Sequence, residues 1–297
     1  MSARGWRLVR FDGPGGTRVA AVDPADPGRA RLLEAREPLA LLYPGALAAA
    51  AGQAREVIDV DPDTLAPQPP WTLALPLEPP EVWCAGVTYE RSRDARLEES
   101  RTEARDAYSL VYDAERPELF LKDAAGRRTV GPGARIGIRS DSAWNVPEPE
   151  LGLVLGPGGA LLGVTAGNDV SSRDIEGANP LYLPQAKVYA GACAIGPAVL
   201  VPDDWAAPFP IELRIRERSG ATLFEGETST ARMKRGFAEL ASFCVRDNPV
   251  PAGSVLLTGT GLVPPDEFTL EAGHVVEVTI PGVGRLVNEV APARELL

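Results

Sequence analysis

The sequence predicts an α+β fold, with a domain on an antiparallel or mixed sheet over residues 76–297 and a small α/β domain over residues 1–75. From residue 118 onward, strand-like segments follow one another with one clear helix among them. Proline-rich stretches at residues 67–70 and 76–80 separate this region from the first. A chain of 297 residues is long enough for one large domain with a smaller appendage.

The first 75 residues contain two short strand patterns, at residues 6–9 and 17–22, on either side of a glycine-rich turn. An Ala/Leu-rich stretch over residues 30–54 predicts one or two helices, broken near Pro44 and Gly45. The two elements together predict the small α/β domain.

The second region opens with an apolar strand that ends in a glycine, at residues 82–86. A highly charged segment at residues 92–112 predicts a solvated or covering helix, and residues 230–246 predict a second helix. The other predicted strands are residues 118–122, 151–155, 161–164, 211–216, 255–258 and 275–280. Among them, residues 211–216 alternate strictly between apolar and charged side chains, which is typical of a half-buried strand.

Charge and composition exclude several classes of function. The chain carries 30 basic and 41 acidic residues, a net charge of −11, with no basic stripe, so nucleic-acid binding is not expected. No apolar run approaches the roughly 18 residues of a membrane span, and the first residues lead into no signal segment, so we expect a cytoplasmic protein. Three cysteines, widely spaced among apolar residues, indicate buried thiols in a reducing compartment.

Lysine is scarce, because 27 of the 30 basic residues are arginine and the remaining three are Lys122, Lys187 and Lys234. Arginine stays protonated, whereas a buried lysine can act as a base. A lysine in this chain is therefore a candidate for chemistry that arginine cannot perform, although chance retention of a surface lysine explains any single one equally well.

Three acidic residues form the strongest local pattern. Glu148 and Glu150 are two residues apart at the start of an apolar strand, so their side chains project to the same side. Asp169 follows at the end of another strand. Such an oxygen-only group suits Mg²⁺, Mn²⁺ or Ca²⁺; the alternative is an acidic surface strand.

Lys187 follows a polar segment at residues 171–177. A metal that holds the carboxylate and 2-keto oxygen of a substrate acidifies the adjacent C3 hydrogens. A lysine with a lowered pKa can then remove one of them, and Lys187 is the candidate.

These residues carry a resemblance. Residues 82–287 resemble the fumarylacetoacetate hydrolase family, whose signature is a Glu-x-Glu pair followed by an aspartate and a lysine. Residues 168–174 and 257–261 fit the same family. The resemblance implies a mixed β-roll fold, Mg²⁺ on Glu148, Glu150 and Asp169, a role for Lys187, and a homodimer or homotetramer.

Within the family, several segments resemble members that dehydrate 2-keto-3-deoxy sugar acids: residues 85–89, 112–118, 175–187 and 224–229. This likeness implies that Glu118 is the second acid–base group, assisting departure of the C4 hydroxyl. The expected partner is a small 2-keto acid, and a five-carbon substrate would yield 2,5-dioxopentanoate.

One departure from the family pattern separates two chemistries. Hydrolase and decarboxylase members carry a histidine at the entrance that activates water, and Ser92 stands at that position here. Loss of water from C3 and C4 needs a metal, a lysine and a carboxylic acid, so a dehydratase is favoured. The alternatives are an acylpyruvate hydrolase or oxaloacetate decarboxylase on the same scaffold, and a non-catalytic, metal-stabilised binding protein.

Further contacts to the substrate are expected from polar residues around this site. Arg173 and Glu176 are candidates to orient the carboxylate and hydroxyls, although a pair of Arg173 with Asp174 would instead brace the loop. The glycine-rich turn at residues 258–261 either cradles the substrate or is structural. The full set of expected substrate contacts is Thr88, Ser92, Lys122, Arg173, Glu176 and Thr260.

Two other titratable residues are expected outside the site. His274, the one histidine of the chain, follows a turn and opens a strand, so we expect it to be a surface or turn residue. Lys234 lies in the predicted helix of mixed charge at residues 230–246 and is expected to be exposed. Lys122 does not belong to this pair of residues. It is expected either to neutralise the carboxylates or to cap a strand.

Overall fold

Strands dominate the protein in a computed structural model that describes residues 3–90 and 110–297. The strands are β1 (Gly5–Gly13), β2 (Gly16–Val22), β3 (Arg29–Leu32), β4 (Glu56–Asp59), β5 (Thr72–Leu73), β6 (Glu81–Gly86), β7 (Glu118–Ala124), β8 (Thr129–Val130), β9 (Ile136–Ile138), β10 (Asn145–Val146), β11 (Pro149–Leu155), β12 (Leu161–Asp169), β13 (Ser171–Ser172), β14 (Cys193–Pro202), β15 (Pro210–Arg216), β16 (Thr222–Ser229), β17 (Val255–Leu257), β18 (Val275–Ile280) and β19 (Gly284–Pro292).

The helices of the described residues are short. They include α1 (Pro38–Leu41), α2 (Ala46–Gln53), α3 (Arg173–Ala178), α4 (Leu183–Lys187) and α5 (Phe237–Val245), with 3₁₀ turns at Pro157–Gly159, Pro180–Tyr182, Thr230–Arg232 and Ala293–Leu296, and residues 110–113 are also helical. None of the helices in the described part of the chain has the length and apolar character needed to cross a membrane.

The main sheet contains strands from both halves of the sequence. Its order is β4-β3-β2-β1-β14-β12-β11-β17-β6-β7, with β5 paired to β1 and β8 to β14. The β17–β6 and β8–β14 pairs are parallel and the others antiparallel, which confirms the predicted mixed sheet. Strand β1 pairs with β14, Gly5 opposite Pro202, so residues 1–75 extend the sheet of the later region. The boundary at residue 75 stays a prediction.

A five-stranded sheet, in the order β16-β15-β18-β19-β9, packs against the main sheet. Ile211 and Leu213 of β15 share one core cluster with Leu153 of β11 and Val164 of β12. In β15 the apolar side chains are buried while Glu212 and Arg214 are exposed, which confirms the alternation read from the sequence. A third, two-stranded sheet joins β10 to β13.

Two predicted helices are shorter than expected because tertiary pairing competes with them. Over residues 230–246 the helix begins only at Phe237. Before it, Thr230–Arg232 form a 3₁₀ turn. The extended residue Met233 then pairs with Tyr89 in an isolated β-bridge, and the Lys234 N–H donates to the Thr88 carbonyl at 3.0 Å. Over residues 30–54, the first residues form β3 against β2, and the helices α1 and α2 follow. Most of the helix predicted at residues 92–112 lies outside the described residues.

Candidate active site

The three acidic residues predicted to bind a metal meet at one edge of the main sheet. Strand β11 begins where its antiparallel neighbour β12 ends, with Pro149 opposite Asn168. This register brings ligand oxygens of Glu148, Glu150 and Asp169 within 4.8 Å of one another, and all three residues are buried. The predicted cluster therefore forms.

The three carboxylates of this cluster repel one another because they are buried close together. Removal from water, together with the nearby carboxylates of Asp169 and Glu148, raises the pKa of Glu150 well above its usual range. The Gly259 N–H donates to Glu150 Oε2 at 2.6 Å and favours the ionised form.

Three cationic side chains stand against the carboxylates. Lys187 Nζ donates to Glu148 Oε2 at 2.8 Å, to Asp169 Oδ2 at 2.9 Å and to Ser171 Oγ at 2.6 Å. Both this lysine and the carboxylates it contacts are buried. Lys187 thus lies directly at the centre of the acidic cluster.

The other two cations contact different carboxylates of the cluster. Lys122 is fully buried, pairs with Asp169 and donates to the Val170 carbonyl at 2.9 Å. Arg173 donates to Glu148 Oε1 at 2.8 Å, and its Nε lies 4.0 Å from Glu176 Oε2. The cluster therefore balances three carboxylates with three cations.

The acidic cluster fits a hard divalent cation. All its donors are carboxylate oxygens, with no sulfur or imidazole among them, and they converge within a single coordination sphere. Glu150 accepts from a backbone N–H, and its pKa is raised first by burial and then by the neighbouring carboxylates, so a nearby cation would favour its ionised form. The chemistry of this donor set favours Mg²⁺, Mn²⁺ or Ca²⁺ over zinc.

A hydrogen bond holds the turn after β17 against the segment after β6. Thr88 Oγ1 donates to the Thr258 carbonyl at 2.6 Å, and Thr88 is fully buried. Gly259 has φ +89°, and a Cβ there would lie 2.1 Å from Thr88 Oγ1. A residue without a side chain is thus required where the N–H reaches Glu150. Thr260 exchanges hydrogen bonds with the backbone of Leu262.

A cavity lies beside the cluster and is lined by most of the predicted site residues. Its polar wall contains Glu118 from β7 and Glu176 from α3, together with the cluster itself. Phe120 contributes an aromatic face, with Lys187 Nζ 5.6 Å from its ring centroid. The lining residues are Ala85, Gly86, Val87, Glu118, Phe120, Glu148, Glu150, Asp169, Arg173, Glu176, Lys187, Gly259, Thr260 and Val263.

The predicted substrate contacts fall into three groups. Arg173, Glu176 and Thr260 line the cavity. Thr88 and Lys122 are fully buried, and their observed contacts are with the Thr258 carbonyl and with Asp169. The structure describes no neighbours for the remaining residue, Ser92, because it lies outside the described residues.

Asp174 and Arg173, neighbours in the α3 segment, contact different parts of the structure. Asp174 accepts hydrogen bonds from Ser142 Oγ at 2.6 Å and from the Ala143 N–H at 2.8 Å, so it braces the loop before β10. Arg173 instead turns toward Glu148.

The residues expected outside the site do lie elsewhere. Lys234 is exposed and pairs with Asp113. His274 is half-buried beside Phe268 and accepts a hydrogen bond from the Glu271 N–H. All three cysteines are buried and unpaired, as predicted.

Sequence reasoning missed several residues that organise this site. Ser171 accepts a hydrogen bond from Lys187, and the Asn168 side chain accepts one from the Glu148 N–H at 3.1 Å. Tyr189 lies beneath Lys122, 5.9 Å from Nζ to the ring centroid, and donates to Val170. Asn168 and Ser171 lie within two residues of Asp169 in the sequence, and this proximity could have identified them. No sequence pattern marks Tyr189.

Comparisons with known proteins show which proteins this chain resembles. A family profile described as "Fumarylacetoacetate (FAA) hydrolase C-terminal" matches residues 81–291, more than two thirds of the chain. A "Probable 2-keto-3-deoxyxylonate dehydratase" of Haloferax volcanii is 52% identical over 217 residues, which cover 73% of this chain and 74% of the relative. A "2-dehydro-3-deoxy-D-arabinonate dehydratase" of Saccharolobus solfataricus is 43% identical over 224 residues, with 74% and 75% covered.

A solved structure extends the comparison over almost the whole chain. It is described as a 2-keto-3-deoxy-D-arabinonate dehydratase complexed with magnesium and 2,5-dioxopentanoate. It aligns with a TM-score of 0.79 and 35% identity, over 96% of this chain and 99% of that chain.

Proposed function

Because the chain belongs to the fumarylacetoacetate hydrolase family, we propose that it is a metal-dependent hydro-lyase that removes water from a 2-keto-3-deoxy sugar acid. The observation that carries the proposal is one cavity lined by a buried lysine, a second carboxylic acid and the carboxylate triad. The names of two relatives, 2-keto-3-deoxyxylonate and 2-dehydro-3-deoxy-D-arabinonate dehydratase, support this substrate class.

Glu148, Glu150 and Asp169 would hold the metal, and Mg²⁺ is the candidate because a similar solved structure contains it. When bound, the ion supplies Lewis-acid polarisation of the substrate's 2-keto oxygen, which acidifies the hydrogens on C3. The remaining chemistry belongs to the side chains of this protein.

Lys187, acting as the neutral amine, accepts the proton from C3 and becomes an ammonium ion. Its nitrogen lies in the cavity wall, held by Ser171 and the cluster carboxylates at 2.6–2.9 Å. These contacts and the adjacent Phe120 ring fix its position, so little reorganisation is needed when the proton moves.

Glu118 donates a proton to the C4 hydroxyl, which leaves as water. The C3–H electron pair forms the new C3=C4 bond as the C4–O bond breaks, so the products are one unsaturated 2-keto acid and one water molecule. With a five-carbon substrate, this acid isomerises to 2,5-dioxopentanoate in two proton shifts: a proton moves from C5 to C3 to give the C4=C5 enol, and the enol then gains a proton at C4 as its C5 hydroxyl loses one. Arg173, Glu176 and Thr260 orient the carboxylate and hydroxyls from the same cavity.

The first test is a turnover assay on 2-keto-3-deoxy-D-arabinonate with Mg²⁺, in which 2,5-dioxopentanoate is followed by coupled oxidation. We expect turnover that EDTA removes. Lys187→Met should lower kcat by at least about 10²-fold, since general base catalysis contributes about 10²–10⁴-fold. Lys234→Met is the matched control, because that lysine is exposed and outside the cavity.

The metal site is tested separately by calorimetric titration with Mg²⁺. Glu148→Gln should weaken Mg²⁺ binding by at least tenfold, because it removes a charged ligand. It also removes the carboxylate that forms ion pairs with Arg173 and Lys187. Unchanged affinity would remove Glu148 from the ligand set. Acetylpyruvate and oxaloacetate are assayed in parallel, and release of pyruvate without dehydration would replace the dehydratase by a hydrolase or decarboxylase.

A further inference from the structure

Gly86 lies directly opposite Glu118 in the β6–β7 pair. Opposed residues of antiparallel strands place their Cβ atoms about 4.5–5.5 Å apart on the same face of the sheet. Both residues line the cavity beside the carboxylate cluster. The space above Gly86 is therefore adjacent to the Glu118 side chain.

Glu118 fills that space. A Cβ built on Gly86 would lie 2.0 Å from Glu118 Oε2, 2.5 Å from Cδ and 3.2 Å from Cγ. The three nearest atoms all belong to this one side chain, so the carboxylate rests on the Gly86 backbone.

The conformation of the backbone gives no reason for glycine here. Gly86 is absent from the positive-φ residues, among which Gly259 and Gly273 have φ +89° and +90°. Since an L-residue can adopt the local backbone, the requirement for glycine at this position arises from the Glu118 side chain alone.

We propose that Gly86 is a positioning residue, whose missing side chain allows the Glu118 carboxylate to lie over β6 and face the cavity. A methyl group at this position displaces the far end of a flexible side chain, so the fold is retained while the acid moves. The consequence for turnover rests on the proposed function of Glu118, whereas the displacement itself does not.

The test is Gly86→Ala. We expect kcat on 2-keto-3-deoxy-D-arabinonate to fall about 10²-fold, the loss typical of a catalytic group moved by about 1 Å. KM and the affinity for Mg²⁺ should change by less than about twofold, because Glu150 and Asp169 lie on β11 and β12 and Glu148 lies just before β11. Gly28→Ala is the matched control, since its φ is ordinary and its Cβ would lie 3.8 Å from the Val60 carbonyl oxygen.

A double-mutant cycle asks whether Gly86 acts through Glu118. In a Glu118→Ala background the obstructing carboxylate is gone, so adding Gly86→Ala should lower kcat by less than twofold. A further tenfold loss in that background would show that the methyl group acts elsewhere, and would overturn the proposal.

A crystal structure of Gly86→Ala supplies a measurement that is independent of turnover. The proposal requires the Glu118 carboxylate to leave its position over residue 86, and an unmoved carboxylate overturns it. If the unmodified protein dehydrates no 2-keto-3-deoxy acid, the proposed function fails, and the crystal structure still decides the role of Gly86.

Discussion

Two of the three lysines in the chain, Lys122 and Lys187, are buried at the acidic cluster. A strong bias toward arginine made each lysine a candidate for a special role, and the structure places these two where a compact ammonium group fits between carboxylates. The third, Lys234, is the exposed exception. The residue-scale signal in the composition was therefore informative for two positions of three.

Lys122 is expected to contribute stability through Asp169. It is fully buried, and its contacts are Asp169, the Val170 carbonyl and the Tyr189 ring. Lys122→Met should lower the free energy of unfolding by about 3 kcal/mol, the low end of the range for breaking a buried ion pair. We choose the low end because Asp169 retains its ion pair with Lys187 in this variant.

Urea denaturation in EDTA measures this effect without contributions from bound metal. Lys234→Met is again the control, since an exposed pair contributes about 0–1 kcal/mol. Equal losses in the two variants would contradict a stabilising role for Lys122.

At the scale of elements, the turn after β17 links the metal cluster to the segment after β6. Its N–H donor, Gly259, combines a φ of +89° with close approach to Thr88 and to the Ala85 carbonyl. The sequence pattern identified this turn as a candidate for either substrate contact or structure, and its observed hydrogen bonds hold Glu150 in place.

Gly259→Ala is expected to destabilise the protein and weaken the metal site together. The new methyl group would lie 2.1 Å from Thr88 Oγ1 and 2.8 Å from the Ala85 oxygen, so the turn must shift away from Glu150. We expect at least tenfold weaker Mg²⁺ binding by calorimetric titration.

Gly273→Ala separates this clash from backbone strain. Gly273 has φ +90° and no atom within 4 Å of the Cβ position, so both variants carry a similar penalty of about 1–3 kcal/mol for the left-handed backbone. A similar decrease in Mg²⁺ affinity in both variants would refute a specific link between Gly259 and the cluster.

Strand β14 shows why some elements escaped sequence analysis. Its ten residues are almost uniformly buried because core clusters pack on both of its faces, with Ala194 and Leu200 in one cluster and Ile195 and Val199 in another, so no alternation of polar and apolar residues marks it. Gly196 and Pro197 are residue types that are typical of turns, so their presence further obscures the strand pattern. In contrast, β15 has one exposed face and was recognised from its alternation.

At the scale of the whole molecule, the N-terminal strands share both a sheet and a core with the later region. One hydrophobic cluster contains Leu8 and Val19 together with Val82, Val154 and Leu257. Removing the first strands would expose the edge of β14 and this apolar surface.

We therefore expect one cooperative unfolding transition for the full chain. In differential scanning calorimetry, the calorimetric and van't Hoff enthalpies should agree, as for a two-state domain. Two resolved transitions would instead support an independent unit over residues 1–75. The measurement is made in EDTA so that metal binding does not stabilise one region selectively.

The sequence by itself determined the mixed, strand-rich architecture, the three carboxylates and the lysine among them. These follow from local rules, because Glu148 and Glu150 share a face by their spacing and Asp169 ends a strand. Only the tertiary structure decided which groups surround them. Contacts such as Gly86 with Glu118, Lys122 with Asp169 and Gly259 with Glu150 join distant segments, and strand pairing fixes them. Pairing across such separations depends on the register of the whole sheet, which no local pattern specifies.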